Sequence, residues 1–220
     1  MTFLNEGFMR VLKHAVRVCA ESIFPPRENE VLVRNATRDE VARLVDPQII
    51  KIGELSVISL LPYRTPLVQA LILEAKFEKN MRAHALLGAV LANYIKVWLE
   101  IVLIPLPLGK KRRKERGYNQ VEEVARFAAY KARTSDASAQ IMVETGLLVR
   151  IRETVPQMSL GRAARLKNMS EAFGLAHPLD PAFTYLLLDD VVTTGATLSA
   201  AHEALIKAGA KHVIVLALAH

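Results

Sequence analysis

Apolar and polar positions alternate along the chain in two rhythms, one helical and one strand-like. Phe3, Leu4, Phe8, Val11, Leu12, Ala15 and Val18 recur at roughly helical spacing, which predicts a helix over residues 3–22 that Pro25 and Pro26 end. Thr37 followed by Glu40 has capping-box spacing and predicts a short helix through Leu44. An apolar stretch from Leu55 to Leu61 is closed by Pro62. From Tyr63 onward the pattern becomes regular. Leu67, Leu71, Ile72 and Ala75 mark a helix leading to Lys76, and residues 82–99 a longer one. Residues 101–105 predict a short buried strand, then comes a basic segment, and a helix runs from about Asn119 to Lys131. Residues 134–140 form a polar loop, 147–150 a strand and 162–169 a helix. Residues 185–188 predict a strand, 197–208 a helix ending at Gly209, and 213–218 a final strand. Strands separated by helices imply an α/β fold with a doubly wound parallel sheet. The chain shows no internal repeat and no low-complexity tract.

Composition supports this class. Hydrophobic residues make up 51% of the 220 positions and aromatic residues 6%, so the core is aliphatic, as a parallel sheet covered on both faces requires. The length suits one substantial domain plus an appendage, taken as residues 61–220 and a mainly helical N-terminal extension over residues 1–60. The first residues carry scattered charges and lack the apolar core of a signal peptide. No run approaches the roughly 18 uncharged apolar residues that span a bilayer. The expectation is a cytoplasmic protein with no membrane partner. Cys19 is the single cysteine, which excludes an internal disulfide and a zinc site built on several cysteines. The six histidines show no ligand spacing. A net charge of +7 points to an anionic partner, either phosphate-rich small molecules or nucleic acid, without choosing between them.

The strongest chemical signal lies between Tyr185 and Thr197: an apolar strand, the acids Asp189 and Asp190, a Thr/Gly-rich turn, then a helix. In an open α/β sheet, ligands bind beyond the carboxyl ends of the strands. The N-terminus of the following helix presents free N–H groups and a partial positive charge, a site for phosphate. Gly195 lets the backbone approach closely, and Thr193, Thr194 and Thr197 can add hydroxyl donors. Two adjacent carboxylates suit a vicinal diol better than a phosphate. One loop would therefore bind a 5-phosphate and a ribose diol together. Neither a Walker loop nor a G-x-G-x-x-G fingerprint occurs in the chain.

LLLDDVVTTGAT resembles the phosphoribosyl pyrophosphate (PRPP) signature of type I phosphoribosyltransferases. PLPLGKKRRKERGYNQ, residues 105–120, is similar to the pyrophosphate-loop and Arg-Gly-Phe/Tyr-Asn-Gln segment of the ComF (competence protein F) family. Arg152, Thr154, Gln157, Leu160, Arg165, Asn168, Ala172 and Phe173 fit that family's R-x-T-x-x-Q…R-x-x-N…A-F pattern, and Lys76 sits where those proteins have a Leu-Lys-Tyr segment. The resemblance covers about residues 60–220. It implies a type I phosphoribosyltransferase-like parallel β-sheet flanked by helices. It implies that Asp189 and Asp190 bind the ribose hydroxyls, and that Thr193, Thr194, Gly195, Ala196 and Thr197 hold the 5-phosphate. Pro107, Leu108 and Gly109 would form the pyrophosphate loop. Mg²⁺ would be bound mainly by PRPP itself. The cysteine-rich zinc segment that often opens ComF proteins has no counterpart here, so zinc does not carry over. Packing on the core, or a homodimer contact, is the simplest use for residues 1–60.

Lys110, Lys111, Arg112, Arg113, Lys114 and Arg116 put six cations in seven positions. Such a run serves as a solvated face, a flexible lid that neutralises pyrophosphate, or a nucleic-acid phosphate contact. The lid suits its place after the pyrophosphate loop, and lid and nucleic-acid roles can coexist. Lys76 and Arg116 are candidates for leaving-group contacts, Lys110 belongs to the lid beside the pyrophosphate loop, and Tyr118 could stack on a base. As an enzyme, the chain would displace pyrophosphate from ribose C1. Some purine-salvage relatives carry an Asp at the position of Thr193. A threonine there cannot serve as a base, which disfavours a 6-oxopurine acceptor and leaves the nucleophile open. The competing reading is a DNA-uptake or recombination accessory protein that binds single-stranded DNA and uses the fold to sense PRPP.

Overall fold

The computed structural model describes residues 26–98, 100–151 and 172–220. Helices α1 (Glu28–Asn35) and α2 (Arg38–Arg43) precede a hairpin of β1 (Gln48–Ile52) and β2 (Leu55–Leu61). Helices α3 (Pro66–Phe77) and α4 (Met81–Ile95) lead to β3 (Glu100–Pro105), and α5 (Lys110–Arg116) and α6 (Gln120–Ser135) lead to β4 (Gln140–Val143). Two short strands follow, β5 (Leu148–Arg150) and β6 (Phe173–Leu175). Strand β7 (Thr184–Val191), helix α7 (Ala196–Lys207) and strand β8 (His212–Ala219) complete the order. Six strands form one sheet in the order β1-β2-β8-β7-β3-β4, and β5 pairs with β6 apart from it. Every neighbour in the large sheet is parallel except the β1–β2 edge. The expected α/β class is what folds, consistent with a type I phosphoribosyltransferase-like sheet.

Alternation along the strands sorts side chains into two layers. Ile101, Leu103, Leu186, Leu188, Leu216 and Leu218 join the core under α3, α4 and α6. Val102, Ile104, Tyr185, Leu187, Val215 and Ala217 join the other, under α7 and the β5–β6 pair. These three strands are therefore apolar on both faces, which is why they are unbroken hydrophobic runs in the sequence. Truncating Leu187, fully buried, to alanine would cost about 2–5 kcal/mol. Helices α4 and α6 approach closely. A Cβ at Gly88 would lie 2.6 Å from the Phe127 Cβ.

The Thr37 capping box forms as expected. Its hydroxyl accepts from the Glu40 N–H at 3.2 Å, and Glu40 Oε2 accepts from the Thr37 N–H at 2.7 Å. Several boundaries move. Helix α4 starts at Met81 because the Asn80 side chain caps the Arg82 and Ala83 N–H groups, and it stops at Ile95, short of residue 99. Helix α6 runs to Ser135, into the expected polar loop. Strand β4 occupies Gln140–Val143, where no strand is expected, because only Ile141 is fully buried and Val143 packs at the edge of the core. The basic segment is helical as α5. The apolar stretch Leu55–Leu61 is a strand of the main sheet, so the sheet reaches back before residue 60. The helices expected over residues 3–22 and 162–169 lie outside the described residues, as do Arg152, Thr154, Gln157, Leu160, Arg165 and Asn168.

Candidate functional site

From β3 the sheet grows one way to β4 and the other way to β7 and β8. A crevice opens at the carboxyl ends of strands where the order reverses. Here it is a cleft of about 1400 Å³. Its walls include Pro107, Leu108 and Gly109 after β3, Asp189 and Asp190 at the end of β7, and Thr193, Thr194, Gly195, Ala196 and Thr197 leading into α7. Lys76 from α3 and Arg116 from α5 also line it. Lys110 is exposed and does not line the cleft, whereas Lys111 and Arg112 do.

Helix α7 begins without a side-chain cap and without an acid in its first turn, and its N-cap is Gly195, at φ +68°. Its first N–H groups are left for something else. Thr193, Thr194 and Thr197 surround them, but none acts as the cap. Gly195 is packed tightly. A methyl group built there would overlap Ile52 Cδ1 and lie 3.0 Å from Ile52 Cγ1. Strands β1 and β2 pair from Gln48 to Leu55, but β2 pairs with β8 only from Ile58 onward. The tip of the hairpin is thus free to lean onto the phosphate loop.

The two acids are not outside the sheet, as the sequence suggests. Both lie within β7. Consecutive strand residues face opposite ways, so they meet different surroundings. Asp190 is 6% exposed. Its Oδ2 accepts from Gln120 Nε2 at 2.5 Å and lies 3.3 Å from Lys76 Nζ, while its Oδ1 accepts from the Val191 N–H at 2.7 Å. Asp189 is half-buried and accepts from the Asp190 N–H at 2.8 Å. The surrounding protein and the neighbouring Asp190 carboxylate push the Asp189 carboxyl up to about 7, while the cations of Lys76 and Arg112 oppose the shift.

The Arg116–Gln120 motif ties three elements together. Arg116 Nη1 donates to Gln120 Oε1 at 3.1 Å. Gly117 ends α5 in the left-handed region at φ +74°. The Tyr118 hydroxyl donates to the Ala75 carbonyl at 2.7 Å and accepts from the Lys79 N–H at 2.8 Å. Asn119 Nδ2 donates to the Leu106 carbonyl at 3.0 Å while its Oδ1 accepts from the Val121 N–H, capping α6. Tyr118 is 8% exposed, with its ring edge on His84. It is therefore a strut between α3 and α6, not a platform for a base. Sequence reasoning placed Gln120 in a motif without a role. Its partner Asp190 is 70 positions away, and only the fold brings them together. Ser59 and Gln48, cross-strand partners, also line the cleft, with no signal in the local sequence.

No protein-family model matches the chain. Among curated proteins it is similar to DNA utilization protein YhgH of Salmonella typhi, 28% identical over 161 residues, which is 70% of this chain and 67% of that protein. It is 30% identical to competence protein ComFC of Streptococcus pneumoniae over 65% of this chain and 59% of the relative. It is 33% identical to competence protein F of Haemophilus influenzae over 53% of this chain and 49% of the relative. The chain thus spans between about half and two thirds of the proteins it matches. These similarities to ComFC, competence protein F and YhgH support the ComF (competence protein F) resemblance that the sequence motifs carry.

Proposed function

We propose that this chain is a ComF-type accessory protein of DNA uptake or recombination whose cleft binds PRPP. The names of the relatives, competence protein and DNA utilization protein, support the DNA side. One observation carries the ligand side: the uncapped N-terminus of α7, entered through Gly195, opens into the same cleft as Asp189 and the cations of α5. A 5-phosphate fits the first and a diol the second, while a diphosphate fits the cations beside residues 107–109. The donor set fits magnesium that arrives on the diphosphate. The cleft is lined by Asp46, Glu115, Asp189 and Asp190, but among the described residues no three of them gather closely enough for a protein-built cage. When bound, the ion would neutralise diphosphate charge. Lys76 and Arg116 would do the same from the protein side.

The test is thermal unfolding of the full chain with PRPP and Mg²⁺. The expected outcome is a concentration-dependent rise in Tm that an Asp189→Asn/Asp190→Asn double variant loses. No rise at millimolar ligand would end the proposal. For DNA, helix α5 has no buried residue, so its cations face solvent, where a nucleic-acid backbone can pass. Replacing Lys110, Lys111, Arg112, Arg113 and Lys114 with glutamine should flatten the salt dependence of single-stranded DNA binding, by a slope of about 0.7 for each phosphate no longer neutralised. Unchanged binding removes α5 from that role.

A second reading is transfer of the ribosyl group with release of pyrophosphate. The size of the cleft favours it. At about 1400 Å³ it exceeds the roughly 300–1,000 Å³ that one small ligand usually fills, which leaves room for an acceptor. A screen of nucleobases for pyrophosphate release from PRPP tests it, and no release above buffer with any base would leave the binding reading alone.

A further inference from the structure

Asp190 lines the cleft but stands on the face of the sheet opposite α7. In β7 it shares a face with Leu186 and Leu188, the side packed under α3 and α6, whereas Asp189 shares a face with Tyr185 and Leu187, on the side of α7. Both Asp190 oxygens are already engaged, one by its own strand and the other by Gln120 and Lys76. Gln120 in turn accepts from Arg116 through its other amide atom. A continuous chain therefore runs from Lys76 through Asp190 and Gln120 to Arg116. Its two inner members are buried, and its two outer members are cations lining the cleft. Arg116 is steadied further by the Phe77 ring, 5.0 Å from its guanidinium carbon.

We infer that Asp190 and Gln120 are positioning residues, a buried clamp that holds Lys76 and Arg116 toward a diphosphate, and that the ribose diol is left to Asp189. This rests on the PRPP reading. Long cationic side chains lose rotamer freedom when they grip an anion, and fixing them beforehand removes that cost at the moment of binding. A buried carboxylate is the natural anchor for the ammonium. The glutamine carries the tie onward to a guanidinium without a second buried charge. The cleft then divides into two halves: Asp189 and the α7 terminus for the ribose phosphate, and the clamped cations for the diphosphate.

Three probes separate the halves: PRPP with Mg²⁺, inorganic pyrophosphate with Mg²⁺, and ribose 5-phosphate, each titrated into the full chain by calorimetry. Asp190→Asn and Gln120→Leu should weaken PRPP and pyrophosphate by about tenfold or more, the effect of removing one charge-assisted hydrogen bond, and leave ribose 5-phosphate nearly unchanged. Asp189→Asn should weaken PRPP and ribose 5-phosphate and spare pyrophosphate. Lys76→Gln removes the clamped ammonium itself while Asp190 keeps its bonds from Gln120 and the Val191 N–H, and should match Asp190→Asn. A general loss of structure would weaken all three probes alike. The clamp is overturned if Asp190→Asn weakens ribose 5-phosphate as much as PRPP, or if pyrophosphate binding ignores Asp190, Gln120 and Lys76 alike. Those outcomes leave the PRPP reading standing when the wild-type chain binds PRPP. Failure of the folded wild-type chain to bind PRPP overturns that reading and the clamp with it.

Discussion

Replacing Gly195 with alanine tests the phosphate loop without touching a charge. Two costs add. At φ +68° the backbone lies in the left-handed region, where an L-residue with a Cβ loses roughly 1–2 kcal/mol. The new methyl also overlaps Ile52 Cδ1, and moving that flexible terminus off its rotamer costs about 0.5–1.5 kcal/mol. The sum is about 1.5–3.5 kcal/mol, which for a chain of this size lowers Tm by roughly 3–14 °C. Thermal or urea unfolding of Gly195→Ala, Ile52→Ala and the double variant separates the costs. Ile52→Ala should relieve the steric part but not the backbone part, giving a favourable coupling of about 0.5–1.5 kcal/mol in the cycle. The same Gly195 substitution should remove phosphate-ligand stabilisation, since a displaced loop no longer aims the α7 N–H groups. A Gly195→Ala chain within about 0.5 kcal/mol of wild type would refute both the strain and the contact with the hairpin.

Further outcomes follow from buried groups. The Asp189 carboxyl is raised from 3.8 to about 7, so between these values the folded chain holds a proton that the unfolded chain releases. Its contribution to stability is full below pH 3.8 and fades as pH rises through about 7. Asp189→Asn should therefore stabilise the unliganded chain most above pH 7, as urea unfolding at several pH values will show. PRPP affinity should rise over the same interval, as the carboxylate ionises to accept the diol. His84 is fully buried, its Nε2 lies 3.1 Å from the Ala75 carbonyl, and burial depresses its pKa below the ordinary 6.5. Its stabilising contribution is present above 6.5 and lost as pH falls through the depressed value. His84→Phe should flatten that acid limb in pH-dependent melts. Glu74, 2% exposed, accepts from Asn80 at 2.9 Å and pairs with Arg27 at 3.2 Å. Glu74→Ala should cost about 1.5–3 kcal/mol in denaturant unfolding, the worth of hydrogen bonds to a charged group, since half-exposed Arg27 keeps its pairing with Glu78.

The sequence foretold what local chemistry dictates. The runs at 101–105 and 185–188 could only be buried strands, and the Thr37 box needs nothing beyond four neighbouring residues. The phosphate loop was legible because strand, acids, glycine and helix are contiguous. What escaped depends on distance. Strand β4 shows its identity only through the neighbour that buries Ile141. The opposite facing of Asp189 and Asp190 followed from how far β7 runs, and an acidic pair at a strand end does not disclose that. In the sequence Tyr118 looked like a platform for a base, and Gln120 was only a member of a family motif. The fold instead uses Tyr118 as a strut between α3 and α6, and brings Gln120 to Asp190.

The β1–β2 hairpin has a bearing on how this protein can be handled. Because β2 pairs with β8 along Ile58, Ser59 and Leu61, residue 60 lies inside the sheet rather than at a seam. A fragment starting at residue 61 would strip the outer flank from β8 and leave a row of unpaired backbone donors and acceptors beside Leu216 and Leu218. Such a bare edge recruits other chains. Any dissection of the chain should therefore keep the hairpin, with the first usable cut falling upstream of Gln48.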